Sequence, residues 1–441
     1  MLQTQSDTCG KSLRTCQNSA MRHLLGSAVG VLLAFALGCS GESPPSSPSL
    51  PSAPWLGATV AVAAPADVGA RFPHLAASAS GKTVVMSWLE PLGGASGFRL
   101  RQAQWRADRS WGEPVDVAAG QDWFINWADF PSVVPADTGP WAAHWLQQKP
   151  GGVYSYDVMT KLSSDGGRTW GEAYSPHDDG TPTEHGFVSL AQVGDRPYAV
   201  WLDGRATAGE GHVHGADQHG STEGAMTLRG ATLQLQGAVT GVEIDARVCD
   251  CCQTDTAATR DALVVVYRDR AADETRDIHA ARLVDGVWSM PVAVHADAWR
   301  IDACPVNGPA VAAHDDTVIV AWFTAPDRPR IRLAFSQDGG RTFAAPIEVA
   351  SGKVVGRVDV VALTAGRAIV SWLAEDARGA LVRAQPFTAA GAAGPAMDVA
   401  RADVARSSGF PQMAYVPGGL LFAWTAGGPD PRVHTAFAPL H

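Results

Sequence analysis

Residues 309–349 read PAVAAHDDTVIVAWFTAPDRPRIRLAFSQDGGRTFAAPIEV, and this stretch sets the pattern for most of the chain. A short apolar segment, 309–313, turns at Asp315-Asp316 into a β-branched run from Val318 to Phe323. A Pro/Asp turn leads to a third run in which Ile331, Leu333 and Phe335 alternate with Arg330, Arg332 and Ala334. A polar Gly-rich turn, 336–343, then precedes a last short segment at 346–349. Period-two alternation broken by Gly, Pro and Asp predicts a four-stranded antiparallel meander. Both of its faces are apolar, so it needs copies of itself on either side.

The copies are present. A second-strand pattern ending in Trp or Tyr recurs at Trp88, Trp145, Trp201, Tyr267, Trp322, Trp372 and Trp424, spaced 57, 56, 66, 55, 50 and 52 residues apart. Strands and turns at that period, with almost no helical periodicity, predict an all-β chain folded as a single β-propeller of four-stranded antiparallel blades. Seven blades are expected, or six if one repeat is degenerate, over residues 71–117, 129–176, 185–244, 247–294, 304–349, 357–399 and 409–441. The last repeat lacks a fourth strand, and residues 59–63 are expected to supply it, closing the ring through the N-terminal strand and removing both exposed edges.

Composition narrows the function. A formal net charge of −10 over 441 residues, with no basic stripe, argues against a nucleic-acid partner. Seven cysteines divide into Cys9, Cys16 and Cys39 near the start and Cys249, Cys251, Cys252 and Cys304 in the body. Met21-Arg22-His23 opens a basic segment followed by an apolar run from Leu24 to Leu37, which predicts a secretory leader, too short to span a membrane. Ala36-Leu37-Gly38-Cys39 resembles a bacterial lipobox. The resemblance implies lipidation at Cys39, a true start at Met21, and an envelope protein held to the membrane by its lipid alone; Ser40 points to the outer membrane. Residues 40–57, rich in Pro and Ser, read as an extended tether before a propeller over 58–441.

Residues 163–170 (SSDGGRTW) and 336–343 (SQDGGRTF) both fit Ser-x-Asp-x-Gly-x-Thr-aromatic. This resembles the Asp-box, or bacterial neuraminidase repeat, of sialidase-like propellers. Asp165, Gly167 and Trp170, and Asp338, Gly340 and Phe343, would then be structural: the Asp accepts backbone N–H bonds, Gly takes positive φ, and the aromatic plugs the turn into the blade.

In such a blade the loops entering the first strand and those joining strands two and three share a face. Sorted this way, charged, aromatic and sulfur residues converge on one mouth over blades two to five. The candidate ligand-binding residues are Trp123, Trp127, His185, Arg247, Asp250, Arg268, Arg270, Glu274, Trp299 and Asn307, with the tryptophans suited to stacking on sugar rings. Arg71, Asp129, His185, Asp250, Asn307 and Arg357 start successive inner strands and are expected to ring a funnel. Polar loop residues that are simply solvated, and tryptophans that seal loops, are the alternative.

The sialidase resemblance implies three arginines on a substrate carboxylate, an Asp acid, and a Tyr activated by a Glu. Arginine suits that clamp because its fork pairs bidentately with a carboxylate. Arg71 in Arg71-Phe72-Pro73, with Arg247, Arg300 and Arg357, supplies clamp candidates, and Asp122 or Asp129 the acid. Tyr267 and Tyr415 have no evident Glu partner, and Glu274 beside Arg276 and Asp277 fits an ion-pair network equally well. The expected function is ligand binding, of a glycan or an envelope protein, by a monomer with no cofactor; an exo-α-sialidase or related exo-glycosidase is the alternative. Cys249, Cys251, Cys252 and Cys304 lie in entering loops of adjacent blades. They read as disulfides in an exported protein or, in a metal or redox protein, as a four-thiolate site better suited to Cu(I) than to zinc. His212, His214 and His219 offer a second metal-like spacing in a Gly-rich loop.

Overall fold

The alternating run at 309–349 forms four strands, Ala310–His314, Thr317–Thr324, Arg330–Ser336 and Ile347–Ser351, hydrogen-bonded in that order. The structure, a computed structural model, describes residues 56–93, 96–208, 224–235 and 241–441; the leader with Cys39, most of the tether and the three loop histidines lie outside them. Seven antiparallel sheets follow one another along the chain, and the protein is a seven-bladed β-propeller. Blade two holds three regular strands, and its fourth position is taken by Tyr174, which exchanges backbone hydrogen bonds with Thr160 at 2.8 and 3.0 Å. No helix among the described residues is long and apolar enough to cross a membrane.

Both faces of each sheet are spent on neighbours. In blade one, Val84, Met86 and Trp88 pack with Leu421 and Ala423 of blade seven, while Val85 and Leu89 pack with Ala143 and Trp145 of blade two. The same parity continues around the ring, giving seven apolar clusters, one at each junction between blades. Each fully buried Val, Leu or Ile contributes about 1.5–3 kcal/mol there. The signature aromatics carry a polar atom into these junctions, and in three of them a nearby carboxylate satisfies it, while Trp145 and Trp372 Nε1 are buried without a partner among the described residues. Trp88 Nε1 donates to Glu90 at 2.6 Å, Trp201 Nε1 to Asp203 at 2.9 Å, and Trp322 Nε1 to Asp297 at 2.6 Å.

The ring closes as expected: Val60–Val62 pairs antiparallel with Arg432–Pro439, with Val60 opposite Phe437 and Val62 opposite Thr435. The two Ser-x-Asp-x-Gly-x-Thr turns are near copies. Asp165 Oδ1 accepts from Thr169 N at 3.0 Å and Ser163 Oγ at 2.8 Å, and Asp338 Oδ1 from Thr342 N at 2.9 Å and Ser336 Oγ at 2.7 Å. Burial opposes ionisation of Asp338, but these donors outweigh it and hold its pKa down to about 2.

Carboxylates latch the inner strands in alternate pairs. Asp129 Oδ1 accepts from Phe187 N at 2.7 Å, Asp255 Oδ2 from Val311 N at 2.7 Å, and Asp359 Oδ2 from Met413 N at 2.6 Å, joining blades two to three, four to five and six to seven. Inside them runs a central cavity of about 820 Å³, lined by the first strands. Burial pushes Asp255 up to about 7, and burial with the charge of Asp255 pushes Asp359 up to about 7. A raised carboxyl pKa stabilises the fold below the unfolded value, and that contribution is lost as pH rises through the folded one. Replacing both residues, Asp255→Asn and Asp359→Asn, is therefore expected to raise stability relative to the parent as pH goes from 5 to 8. The gain should be about 1–2 kcal/mol, read as a pH-dependent difference in Tm; a difference independent of pH would refute it.

Candidate functional site

Three loops interlock over blades four and five and build the site. Val248 bridges to Asp269 and Thr275 to Arg300, and Arg276 N donates to the Trp299 carbonyl at 2.8 Å. Arg268, 1 % exposed, is the pin that holds them. Its guanidinium donates to the carbonyls of Arg276 at 2.6 Å, Phe323 at 2.7 Å and Asn307 at 2.8 Å, and lies 4.8 Å over the Trp299 ring. Arg268 thus braces the loops from within.

Beside it runs an ion-pair chain. Arg270 donates to Glu274 at 2.9 Å and to Asp250 at 3.1 Å, Arg276 donates to Glu274 at 2.8 Å, and Arg247 reaches Glu274 at 3.5 Å. Burial disfavours the charged form of Glu274, yet the two bonded arginines dominate and lower its pKa.

The four body cysteines gather at the same place. The sulfurs of Cys249, Cys251 and Cys252 lie within 4.8 Å of one another, and Arg276 Nη1 sits 3.5 Å from Cys249 Sγ. Cys304 arrives from the next blade and contacts Cys251 through its thiol. All four are free thiols; Cys249 and Cys252 are buried, Cys251 half-buried and Cys304 exposed. Burial opposes ionisation of Cys249, but donation from Cys251 and Cys252 and the Arg276 cation together hold its pKa well below the ordinary thiol value.

Adjoining this group is a triad that the sequence does not advertise. The Tyr156 hydroxyl lies 2.5 Å from Glu184 Oε1 and 3.1 Å from Asp129 Oδ2. Asp129 comes so close to the chain that a Cβ on Gly186 would fall 2.0 Å from its Oδ2, so only glycine fits there. Burial pushes Asp129 up to about 7. Burial, then the charges of Asp129, Asp250 and Cys304, push Glu184 up to about 8 against the opposing Tyr156 bond. Glu184 is half-buried at the mouth and carries its proton at neutral pH, while Asp250 beside it is bound to Arg270. Tyr156 is fully buried and stacked 4.0 Å from Phe124, and burial followed by the Glu184 and Asp129 charges drives its pKa well above 10. It is a Tyr–Glu pair in which the phenol stays neutral and bridges two carboxyls.

The other candidates disperse. Arg357 is buried, donates to Gly409 O at 2.7 Å and Ser408 Oγ at 2.8 Å, and lies 4.8 Å over Trp127; burial pushes its pKa down to about 10. Arg71 donates to Gly69 O at 3.2 Å and rests over Phe98, and Arg300 is exposed. Asn307 bonds Arg357 N at 2.8 Å as an inter-blade latch. Asp122 holds φ 58° in an exposed turn, its carbonyl receiving Gln148 N at 2.8 Å. Trp123 and Trp299 are buried, the first stacked on Trp145 at 5.5 Å, and Trp127 stacks on Phe410 at 5.8 Å. The six inner-strand residues therefore do not share an open funnel. Phe410 instead contacts Phe130 from across blade one, and Gln253 spans from Ala128 O at 2.7 Å to Gly308 N at 3.0 Å. His185, fully buried, belongs to a separate network with His177, Asp179, Asp203 and Arg205; its Nε2 is 3.0 Å from Asp179, and Arg205 bonds Asp203 at 2.7 Å.

No protein-family model matches the chain, and no curated protein does. Solved structures match at the level of fold. The BP39L lectin from Burkholderia pseudomallei aligns at 12 % identity and TM-score 0.51, over 80 % of this chain and 91 % of the lectin. The α-L-arabinofuranosidase Arb93A from Fusarium graminearum aligns at 13 % identity and TM-score 0.47, over 88 % of this chain and 98 % of its own. The NanB sialidase from Streptococcus pneumoniae aligns at 11 % identity and TM-score 0.41, over 84 % of this chain and 69 % of its own. The class that the fold defines is a seven-bladed all-β propeller.

Two outcomes follow from this geometry. Arg268→Ala leaves three buried carbonyls without a donor and should cost about 3 kcal/mol or more in thermal or denaturant unfolding. Glu184→Gln should flatten the decline in Tm that the parent shows as pH rises through about 8, since the raised carboxyl stabilises the fold only while protonated. An unchanged pH profile would contradict that assignment.

Proposed function

We propose that this protein is a lipid-anchored envelope propeller, held at Cys39 and spaced by its Pro/Ser tether, that binds a glycan with the loop face over blades two to five. The observation that carries the reading is Glu184, held protonated at the mouth beside the ionised Asp250–Arg270–Glu274 chain. A neutral carboxyl donor next to fixed acceptors and arginine forks matches the alternating donors and acceptors of sugar hydroxyls. The lectin of shared fold is compatible with such a ligand. An envelope protein presenting similar polar groups is the other partner that this face suits, and the tether gives the propeller reach from the membrane as a monomer.

A second reading, an exo-glycosidase, is favoured by the same pair, because glycoside hydrolysis uses one protonated and one ionised carboxyl. Glu184 would serve as acid and Asp250 as the ionised partner.

Binding of the full chain to a glycan array should fall about tenfold or more for Glu184→Ala, which removes the neutral carboxyl donor, and for Asp250→Asn, which removes a charged acceptor. No glycan retained by the folded parent would overturn the reading. Fluorogenic sialosides and arabinofuranosides test the second: turnover should drop about 10²–10⁴-fold in Glu184→Gln if that residue is the acid, whereas absence of turnover in the parent removes this reading. Metabolic labelling with a palmitate analogue should disappear in Cys39→Ala, and label that persists would refute the anchor.

A further inference from the structure

The geometry points to a binding site for one thiophilic d¹⁰ cation, Cu(I), held by Cys249, Cys251 and Cys252. This goes beyond the glycan reading and does not depend on it. The three sulfurs come from a Cys-x-Cys-Cys segment and lie within 4.8 Å of one another. A metal–sulfur bond of about 2.3 Å would place the sulfurs of a trigonal site about 4 Å apart, so little movement is needed. Soft thiolates select soft ions, and three-sulfur coordination suits Cu(I) better than zinc, which takes four ligands.

Charge supports the monovalent ion. Three thiolates around Cu(I) carry a net charge of −2, and a buried anion of that size requires compensation. Two arginines provide it. Arg276 is fully buried with Nη1 3.5 Å from Cys249 Sγ, and Arg268, 1 % exposed, acts electrostatically on Cys252. Arg276 Nη2 is bound to Glu274 at 2.8 Å, but its Nη1 is turned to Cys249 and its buried Nε has no hydrogen-bond acceptor among the described residues, so part of the guanidinium's donor capacity is left for an anionic cluster. Cys304, exposed and in contact with Cys251, is placed to receive the ion from solvent and pass it inward by thiolate exchange. On binding, each thiol that coordinates releases its proton to solvent, and no electron is transferred.

The test is anaerobic titration of the reduced full chain with Cu(I) in competition with bathocuproine disulfonate, with circular dichroism confirming the fold. One Cu(I) per chain should be withdrawn from the chelator, with a thiolate-to-copper absorption in the ultraviolet. Cys249→Ser and Cys252→Ser should each weaken retention by about 10–100-fold or more, while Cys304→Ser slows loading and leaves the stoichiometry at one. Should the buried variants fail to fold, Cys251→Ser at the half-buried position carries the same expectation. The proposal is overturned if the reduced parent takes no Cu(I), if Zn(II) is retained and Cu(I) is not, or if retention survives loss of Cys251. It is equally overturned if protein isolated from the envelope carries two disulfides among these cysteines that resist reduction in the folded state.

Discussion

A sheet with two apolar faces has no stable existence by itself, and that constraint governs the whole molecule. The second strand of each blade sends even and odd residues to opposite neighbours, as Val84, Met86 and Trp88 do against Val85 and Leu89. Seven such sheets satisfy one another only in a closed circle, and the circle closes only because Val60–Val62 completes the blade that ends the chain. An open arc would leave two apolar faces in water and unpaired strand edges at the ends. Closure also decides which loops meet, since it fixes each entering loop beside that of the next blade.

The inner ring shows how closure uses polar chemistry. Asp129, Asp255 and Asp359 reach across to a backbone N–H of the following blade, and Asn307 does the same for Arg357 N. Removing a carboxylate from water is costly, and the response visible here is a raised pKa for each of the three acids. Arg268 and Arg357 play the corresponding part for carbonyl oxygens, each guanidinium gathering several that would otherwise be buried without donors. These side chains look like a binding ring in one dimension. In three dimensions most of them join one blade to the next.

Much of this architecture was legible in the chain. Repeat spacing, the two Ser-x-Asp-x-Gly-x-Thr turns and the missing fourth strand depend on local alternation and turn chemistry, which short stretches encode completely. The convergence of Cys249, Cys251, Cys252 and Cys304 was also readable, because adjacent blades put their entering loops side by side. The site's other half was less so. Glu184 carries no distinguishing signal in the sequence beside His185, as its character comes from Tyr156, Asp129 and Asp250, which arrive from other loops and strands. Trp123 and Trp299 looked available for sugar stacking because sequence records an aromatic in a loop but not what covers its face.

By itself, then, the sequence determined the blade, its repetition and the strand that closes the circle, because each follows from the order of apolar, polar and turn residues along a few dozen positions. Only the tertiary structure decided which polar groups stay at the mouth and which are consumed as latches. That choice rests on distances between residues tens of positions apart, such as Arg276 to Cys249 and Tyr156 to Glu184, and on the burial that shifts their protonation. Those quantities exist only once the ring has closed.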